Sequence, residues 1–188
     1  MSHLEAKVRE LAGIAAELPQ HYALWWELAH PENRAKWKPQ FEDHCDFFDS
    51  SARAHFQSVL VMTYQLLDRR SDVISIRALL DEVSVSHAKL CGQSSASIFP
   101  HQDTFDRMSG IRSKVFAHRD SACGPDAIFA LAALSPEAIG SAVDTLCRVM
   151  NDMYYAFVPD AEEFEFYDEA THRADCARDD IRRILAAL

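Results

Sequence analysis

The chain has 188 residues, a formal net charge of -10 at pH 7 and 48% hydrophobic residues. This length is sufficient for one domain with a substantial core, and no uncharged apolar run reaches the about 18 residues that a membrane-spanning helix needs. The five cysteines are scattered without a CxxC pair, and the first residues lack the apolar core of a signal peptide. We therefore expect a cytoplasmic protein with reduced thiols.

The N-terminal part of the chain has the hydrophobic periodicity of helices. It predicts a first helix over residues 3–18, which Pro19 ends, and a second over 21–29. Trp25 and Trp26 in the second helix are expected to anchor this part on the rest of the fold, because large aromatic side chains dominate packing energies.

The middle of the chain predicts a linker over 31–39 and then the longest helix, over 41–69. Apolar side chains at nearly heptad spacing support that helix, as in a helical bundle. A further helix is expected over 74–91, followed by a polar, flexible segment over 92–97. Pro100 is expected to start the next helix.

The C-terminal part predicts two more helices. Ser135 followed by Pro136 is a typical start for the first, which reaches about Val158. The second covers about 165–187. Nine acidic residues lie between positions 160 and 180, and we interpret them as a solvated helix face that would repel nucleic acid or meet a basic partner.

These elements predict an all-α fold, an antiparallel helical bundle that forms one domain over residues 1–188. We expect an N-terminal helical arm (1–39), a core bundle (40–160) and an acidic C-terminal helix (161–188). No alternating pattern is long enough for a sheet. The sequence also lacks a Gly-rich phosphate loop and a zinc-ligand spacing, so we expect no metal and no cofactor.

One segment reverses the acidic character of the chain. The ten residues from Ile111 to Asp120 read IRSKVFAHRD, and the interval from Arg107 to Arg119 has four basic side chains and no acid. A local positive patch attracts an anion to a protein that is otherwise acidic. The four basic residues are Arg107, Arg112, Lys114 and Arg119.

Helix geometry separates the two candidate catalytic residues, Arg112 and His118. At about 100° per residue, His118 shares a stripe with Ile111 and Val115, whereas Arg112 lies on the neighbouring stripe. Their separation along the axis is about 9 Å. One helix therefore holds the pair poorly for joint action on one phosphate, and two copies related by a two-fold axis would hold it better.

The motif resembles the signature of the HEPN superfamily, in which an arginine precedes a histidine by four to six intervening residues. Here five residues separate Arg112 from His118. The residues that extend the likeness to the abortive-infection AbiU-type branch are Lys114, Ala117 and Asp120. The stretch 59–80 is similar to the helix, Asp-Arg turn and helix that precede the motif in that branch, and the resemblance covers roughly residues 40–160.

The resemblance implies a homodimeric helical bundle whose two motifs face each other across a cleft. It implies a metal-independent endoribonuclease in phage defence or a toxin pair, with RNA as substrate and with Arg112 and His118 as catalytic residues. An antitoxin or a regulatory protein is a further expected partner. Supporting roles in phosphate binding and orientation are expected for Arg107, Ser113, Lys114, Arg119 and Asp120.

Two alternatives stay open. A non-catalytic HEPN-type module would bind a protein partner or a nucleotide, and a ligand-binding helical regulator would have a closed aromatic pocket lined by Trp25, Trp26 or Tyr154. The enzyme hypothesis requires an open, positive cleft around the motif. It loses support if Arg112 and His118 are salt-bridged beneath the acidic C-terminal segment.

Overall fold

The computed structural model describes residues 2–70, 72–113, 134–159, 161 and 166–188. Within these ranges the regular secondary structure is helical and includes no strand, which confirms the all-α prediction. The helices are α1 (His3–Ala29), α2 (Pro31–Lys36), α3 (Lys38–Asp43), α4 (Cys45–Leu67), α5 (Ile76–Val83), α6 (Ala88–Ile98), a 3-10 turn (Phe99–His101), α7 (Gln102–Ile111), α8 (Pro136–Phe157) and α9 (Phe166–Ala187).

Helix α1 continues through Pro19, so the predicted helix end at this residue is wrong. Proline has no amide hydrogen, which leaves the carbonyl of Ala15 without its helical donor. The buried thiol of Cys147 in α8 supplies the missing hydrogen bond, with Sγ 3.1 Å from the Ala15 oxygen. Burial raises the pKa of this thiol to about 12, so Cys147 stays protonated and keeps its donor.

Helix α1 lies at the centre of the bundle and packs against α4, α8 and α9. Trp25 contacts Phe56 of α4, with ring centroids 4.7 Å apart. Towards α8, the Tyr22 hydroxyl donates to the carbonyl of Pro136 over 3.0 Å, and a Cβ at Gly140 would lie 2.5 Å from that hydroxyl. Glycine at this position therefore permits the close approach of α1 and α8.

Helix α9 runs parallel to α1. Its C-terminal part is bonded to α1, and its N-terminal end is bonded to α8. Arg182 donates two hydrogen bonds to the buried carboxylate of Glu27, from Nε over 2.7 Å and from Nη2 over 3.0 Å. At the other end, the Tyr167 hydroxyl bonds to Asp144 of α8. Desolvation and this carboxylate raise the pKa of Tyr167 to about 12. The acidic residues that α9 exposes to solvent are Asp168, Asp175, Asp179 and Asp180.

The middle of the chain departs from the predicted boundaries. The expected linker over 31–39 folds mainly into two short helices, and the expected flexible segment over 92–97 belongs to α6, which packs on α8. The predicted helix over 74–91 is interrupted between α5 and α6. There the hydroxyls of Ser84 and Ser86 bond to backbone carbonyls three residues earlier, a local competition that ends helices.

The C-terminal boundaries agree with the prediction. Ser135 Oγ accepts from the amide of Ala138 over 3.1 Å, and Pro136 is the first residue of α8. Helix α9 covers the predicted range to within a residue. None of the described helices is long and apolar enough to cross a bilayer. The division into arm, core and acidic helix stays a prediction.

Replacement of Cys147 tests its bond to α1. We expect Cys147→Ala to lower the free energy of unfolding by about 1–3 kcal/mol, because a buried carbonyl loses its donor and a small void forms. Cys147→Ser keeps a donor and should lose less. Urea denaturation gives the values, and Cys45→Ala, at an exposed thiol, should stay within about 0.5 kcal/mol of the wild type. An unchanged Cys147→Ala protein would contradict this account.

The contact between α1 and α4 predicts sensitivity to acid. His21 and His55 face each other with their Nδ1 atoms 2.9 Å apart, and desolvation lowers the pKa of both imidazoles below the usual 6.5. The unfolded chain therefore binds more protons than the folded one below that pH, and stability falls as the pH is lowered.

We expect the free energy of unfolding to fall between about pH 7 and about pH 5, and to fall less steeply in the His21→Gln, His55→Gln double variant. Denaturation at several pH values measures the slope. His44→Gln, at an exposed ring, is the control and should leave the slope unchanged. A double variant with the wild-type slope would exclude a contribution of the pair.

Candidate functional site

The structure places three of the predicted site residues. Arg107 lies in α7, and Arg112 and Ser113 follow its last residue as half-buried side chains. The predicted site residues that lie outside the described ranges are Lys114, His118, Arg119 and Asp120.

Arg112 is held by an aromatic ring. Its amide donates to the carbonyls of Met108 and Ser109, so the helical backbone continues into this residue. Its guanidinium carbon lies 3.6 Å from the centroid of the Tyr64 ring in α4, which is a close cation–π contact. Among the described residues no carboxylate pairs with Arg112, and its buried Nε has no hydrogen-bond partner. Tyr64 therefore positions this cation, and no carboxylate of the described residues neutralises its charge.

Arg107 is in a different environment. It is exposed and forms an ion pair with Asp103 one turn earlier, with Nε 2.9 Å from Oδ2. Asp106 pairs in turn with Arg69 over 2.7 Å. The acid-free interval in the sequence thus begins directly after Asp106 and one turn after Asp103, and these two acids reduce the positive potential at this end of α7. The prediction that Arg107 steers phosphates stays a prediction.

A groove of about 400 Å³ lies beside Tyr64, between the end of α4, the turn after it, α5 and α7. Its polar wall includes the turn Asp68–Arg70. The Asp68 carboxylate accepts from the backbone amide of Arg70 over 3.0 Å and from its Nη2 over 2.8 Å. The hydrogen bonds from Arg70 hold the pKa of Asp68 below its usual value, so this acid is ionised and neutralised by its own neighbour.

Arg77 of α5 lies in the same wall and was not predicted as a site residue. Its Nη2 donates to Oε1 of Gln102 over 2.5 Å, and Nε2 of Gln102 donates to Asp106 over 2.8 Å. Within the described part of the chain, the buried Nε of Arg77 has no hydrogen-bond partner. Tyr64 and Arg77 both fall in the stretch 59–80 that carries the family resemblance, which was the available signal for them.

The groove and the Asp-Arg turn lie beside Tyr64, the residue that the motif arginine contacts. The HEPN family described as AbiU2 matches residues 1–173. The chain belongs to the AbiU2 family of HEPN proteins. The match exceeds the roughly 40–160 that the motif resemblance covered and takes in all of α1 and the start of α9. No curated protein and no solved structure matches the chain.

Two expectations about this AbiU2-family chain can be compared with the site. The enzyme hypothesis would lose support if Arg112 were salt-bridged beneath the acidic C-terminal segment. Among the described residues, Arg112 forms no salt bridge. Trp25 packs on Phe56, and neither Trp25, Trp26 nor Tyr154 lines the groove. The hypothesis of a regulator with a closed aromatic pocket gains no support from this cavity.

Metal ligands were not expected from the sequence. Within the described ranges, no group of three or more His, Cys, Asp or Glu side chains converges as a metal site would require. His172 and Cys176 of α9 contact each other, with Nε2 3.5 Å from Sγ.

Proposed function

We propose that this AbiU2-family chain is a metal-independent endoribonuclease that acts in phage defence, in abortive infection or as a toxin, with Arg112 and His118 at a dimer cleft. The observation that carries the proposal is the state of Arg112. A half-buried guanidinium that has no carboxylate partner among the described residues, and that an aromatic ring fixes in place, is suited to bind a phosphate.

The chemistry follows from the two side chains. The 2′-hydroxyl of RNA is the nucleophile, and His118 as general base accepts its proton. The oxygen attacks the adjacent phosphorus and the bond to the 5′-oxygen breaks. The products are a 2′,3′-cyclic phosphate and a 5′-hydroxyl, which takes up one proton. Arg112 offsets the negative charge that develops on the phosphoryl oxygens.

A dimer supplies what one helix lacks. On one continuous helix, about 9 Å along the axis would separate Arg112 from His118, a spacing that suits joint action on one phosphate poorly. A two-fold axis places the motif of a second copy opposite the first, so that Arg112 of one copy acts with the histidine of the other. RNA is then the substrate, and a second copy of this chain is a partner that the site requires.

The direct test is RNA cleavage by purified protein in the presence of EDTA. We expect the wild type to cleave, Arg112→Ala to lose about 10²–10³-fold in rate and His118→Ala about 10²–10⁴-fold. EDTA should have no effect, because neither step uses a metal. The rates come from gel analysis of labelled RNAs, and the ends of the products identify the cyclic phosphate.

Arg173→Ala is the matched control. This arginine lies in α9, pairs with Glu169 over 2.7 Å and is exposed, so its loss removes the same charge from a different helix and should leave the rate unchanged. Equal rates for wild type and His118→Ala would contradict the proposal. A folded, dimeric wild type that binds RNA without cleaving it would favour the non-catalytic binding module.

A further inference from the structure

A histidine and a cysteine lie side by side on the outer surface of α9. His172 and Cys176 are one helical turn apart, and both side chains are exposed. Residues at this spacing are neighbours on a helix surface. Nε2 of His172 lies 3.5 Å from Sγ of Cys176, and the thiol is not part of a disulfide. The imidazole and the thiol therefore present their donor atoms to the same small volume outside the helix.

The distance between these two donor atoms is that of two ligands of one zinc ion. In a tetrahedral site, a Zn–N bond of about 2.0 Å and a Zn–S bond of about 2.3 Å place nitrogen and sulfur about 3.5 Å apart. Cysteine sulfur and histidine nitrogen are also the ligands that structural zinc sites use most. An ion can therefore bind between His172 and Cys176 without a change in their separation.

One chain supplies only half of the ligands that such an ion requires. Within the described ranges, no three His, Cys, Asp or Glu side chains form a group that could hold a metal. Asp180, one turn after Cys176, is ion-paired with Arg183 over 3.4 Å. A structural zinc ion takes four ligands. A second copy of the chain, related by a two-fold axis, supplies a second His172 and Cys176 and completes a tetrahedral set.

The surface beside the pair is suited to contact with a second copy. His172 and Cys176 line a groove of about 590 Å³ between α1 and α9. Its apolar lining includes Leu24, Ile181 and Ile184, and Ile184 is 49% exposed. Burial of such a side chain against its own symmetry copy removes apolar surface from water on both chains.

The charges that line this groove cancel. They are those of Arg173 and Asp180. Arg173 pairs with Glu169 over 2.7 Å, and Asp180 pairs with Arg183. Two chains that each have a formal charge of -10 repel each other, so a contact between copies is least unfavourable where the lining has no net charge. A shared Zn²⁺ adds two positive charges at the centre of that contact.

We propose that two copies of this chain share one zinc ion, bound by His172 and Cys176 of each copy, with the groove between α1 and α9 as the surrounding contact. On binding, two Zn–S bonds form, two S–H bonds break and two protons pass to the solvent. These ligands lie on α9 and not in the Arg-His motif, so the inference does not rest on the proposed ribonuclease activity.

The test is titration of the reduced, untagged protein with Co²⁺, which takes the same tetrahedral ligands and reports its geometry by absorption. We expect saturation at one ion per two chains, a tetrahedral spectrum and the charge-transfer intensity of two thiolates per ion. Competition with Zn²⁺ gives the zinc affinity. His172→Ala and Cys176→Ala should each weaken zinc binding at least about a hundredfold, because each removes two of the four ligands.

Three further variants complete the series. Cys45→Ala removes another exposed thiol, whose neighbour His44 cannot share an ion with it because adjacent residues on a helix do not face each other. It should bind zinc within about twofold of the wild type. Ile184→Gln keeps every ligand but weakens the contact between copies, and should lower the affinity at least about fivefold. Val85→Gln, at a side chain that is 96% exposed, is its control. Thermal melting shows that each variant is folded.

The outcomes are independent of RNA cleavage. Absence of a tetrahedral cobalt spectrum, saturation at one ion per chain, or equal zinc binding by the wild type and folded His172→Ala and Cys176→Ala would overturn the shared site, even if cleavage depends on His118. Equal affinities of Ile184→Gln and Val85→Gln would overturn the groove as the contact. A half-molar site that requires both ligands and Ile184 would support the inference, even if the wild type cleaves no RNA.

Discussion

The carbonyl of Ala15, which has no hydrogen-bond donor within α1, is the constraint on which the arrangement of the bundle depends. Pro19 removes its helical donor, and a buried carbonyl without a partner costs about 1–3 kcal/mol. The thiol of Cys147 satisfies it only when α8 lies at one register against α1. That register also brings Gly140 beneath the ring of Tyr22. A long, unbroken α1 can then serve as the helix around which α4, α8 and α9 assemble.

The site depends on this framework through α4. Its contacts with α1, through Phe56 and His55, fix the helix whose last turns carry Tyr64. Tyr64 in turn holds Arg112 at the end of α7. Asp68 and Asp106, the two aspartates that line the groove, are paired with Arg70 and Arg69, and no carboxylate among the described residues pairs with Arg77 or Arg112. A strongly acidic chain thereby keeps a local surface that suits an anionic ligand.

The sequence predicted the helical class, the start of α8, the extent of α9 and the family, because caps, amphipathic periodicity and the Arg-His motif are all local signals. It did not predict the continuation of α1, since the donor for Ala15 lies 132 residues away in Cys147. For the same reason the contact between Arg112 and Tyr64 and the position of the half-buried Arg77 were not foreseen. The polar composition of 92–97 predicts a flexible segment, whereas the structure packs this part of α6 against α8. The prediction for His118 lies outside the described residues.

The central claim is that an anion-binding arginine and a histidine from two copies of the chain act on one phosphate. Co-expression of Arg112→Ala and His118→Ala chains under two different tags, followed by purification through both, tests it most directly. Each mixed dimer keeps one complete pair, so the account predicts about half of the wild-type RNA cleavage per dimer, while either variant alone is inactive. Mixed dimers that are as inactive as the two parent variants would contradict it.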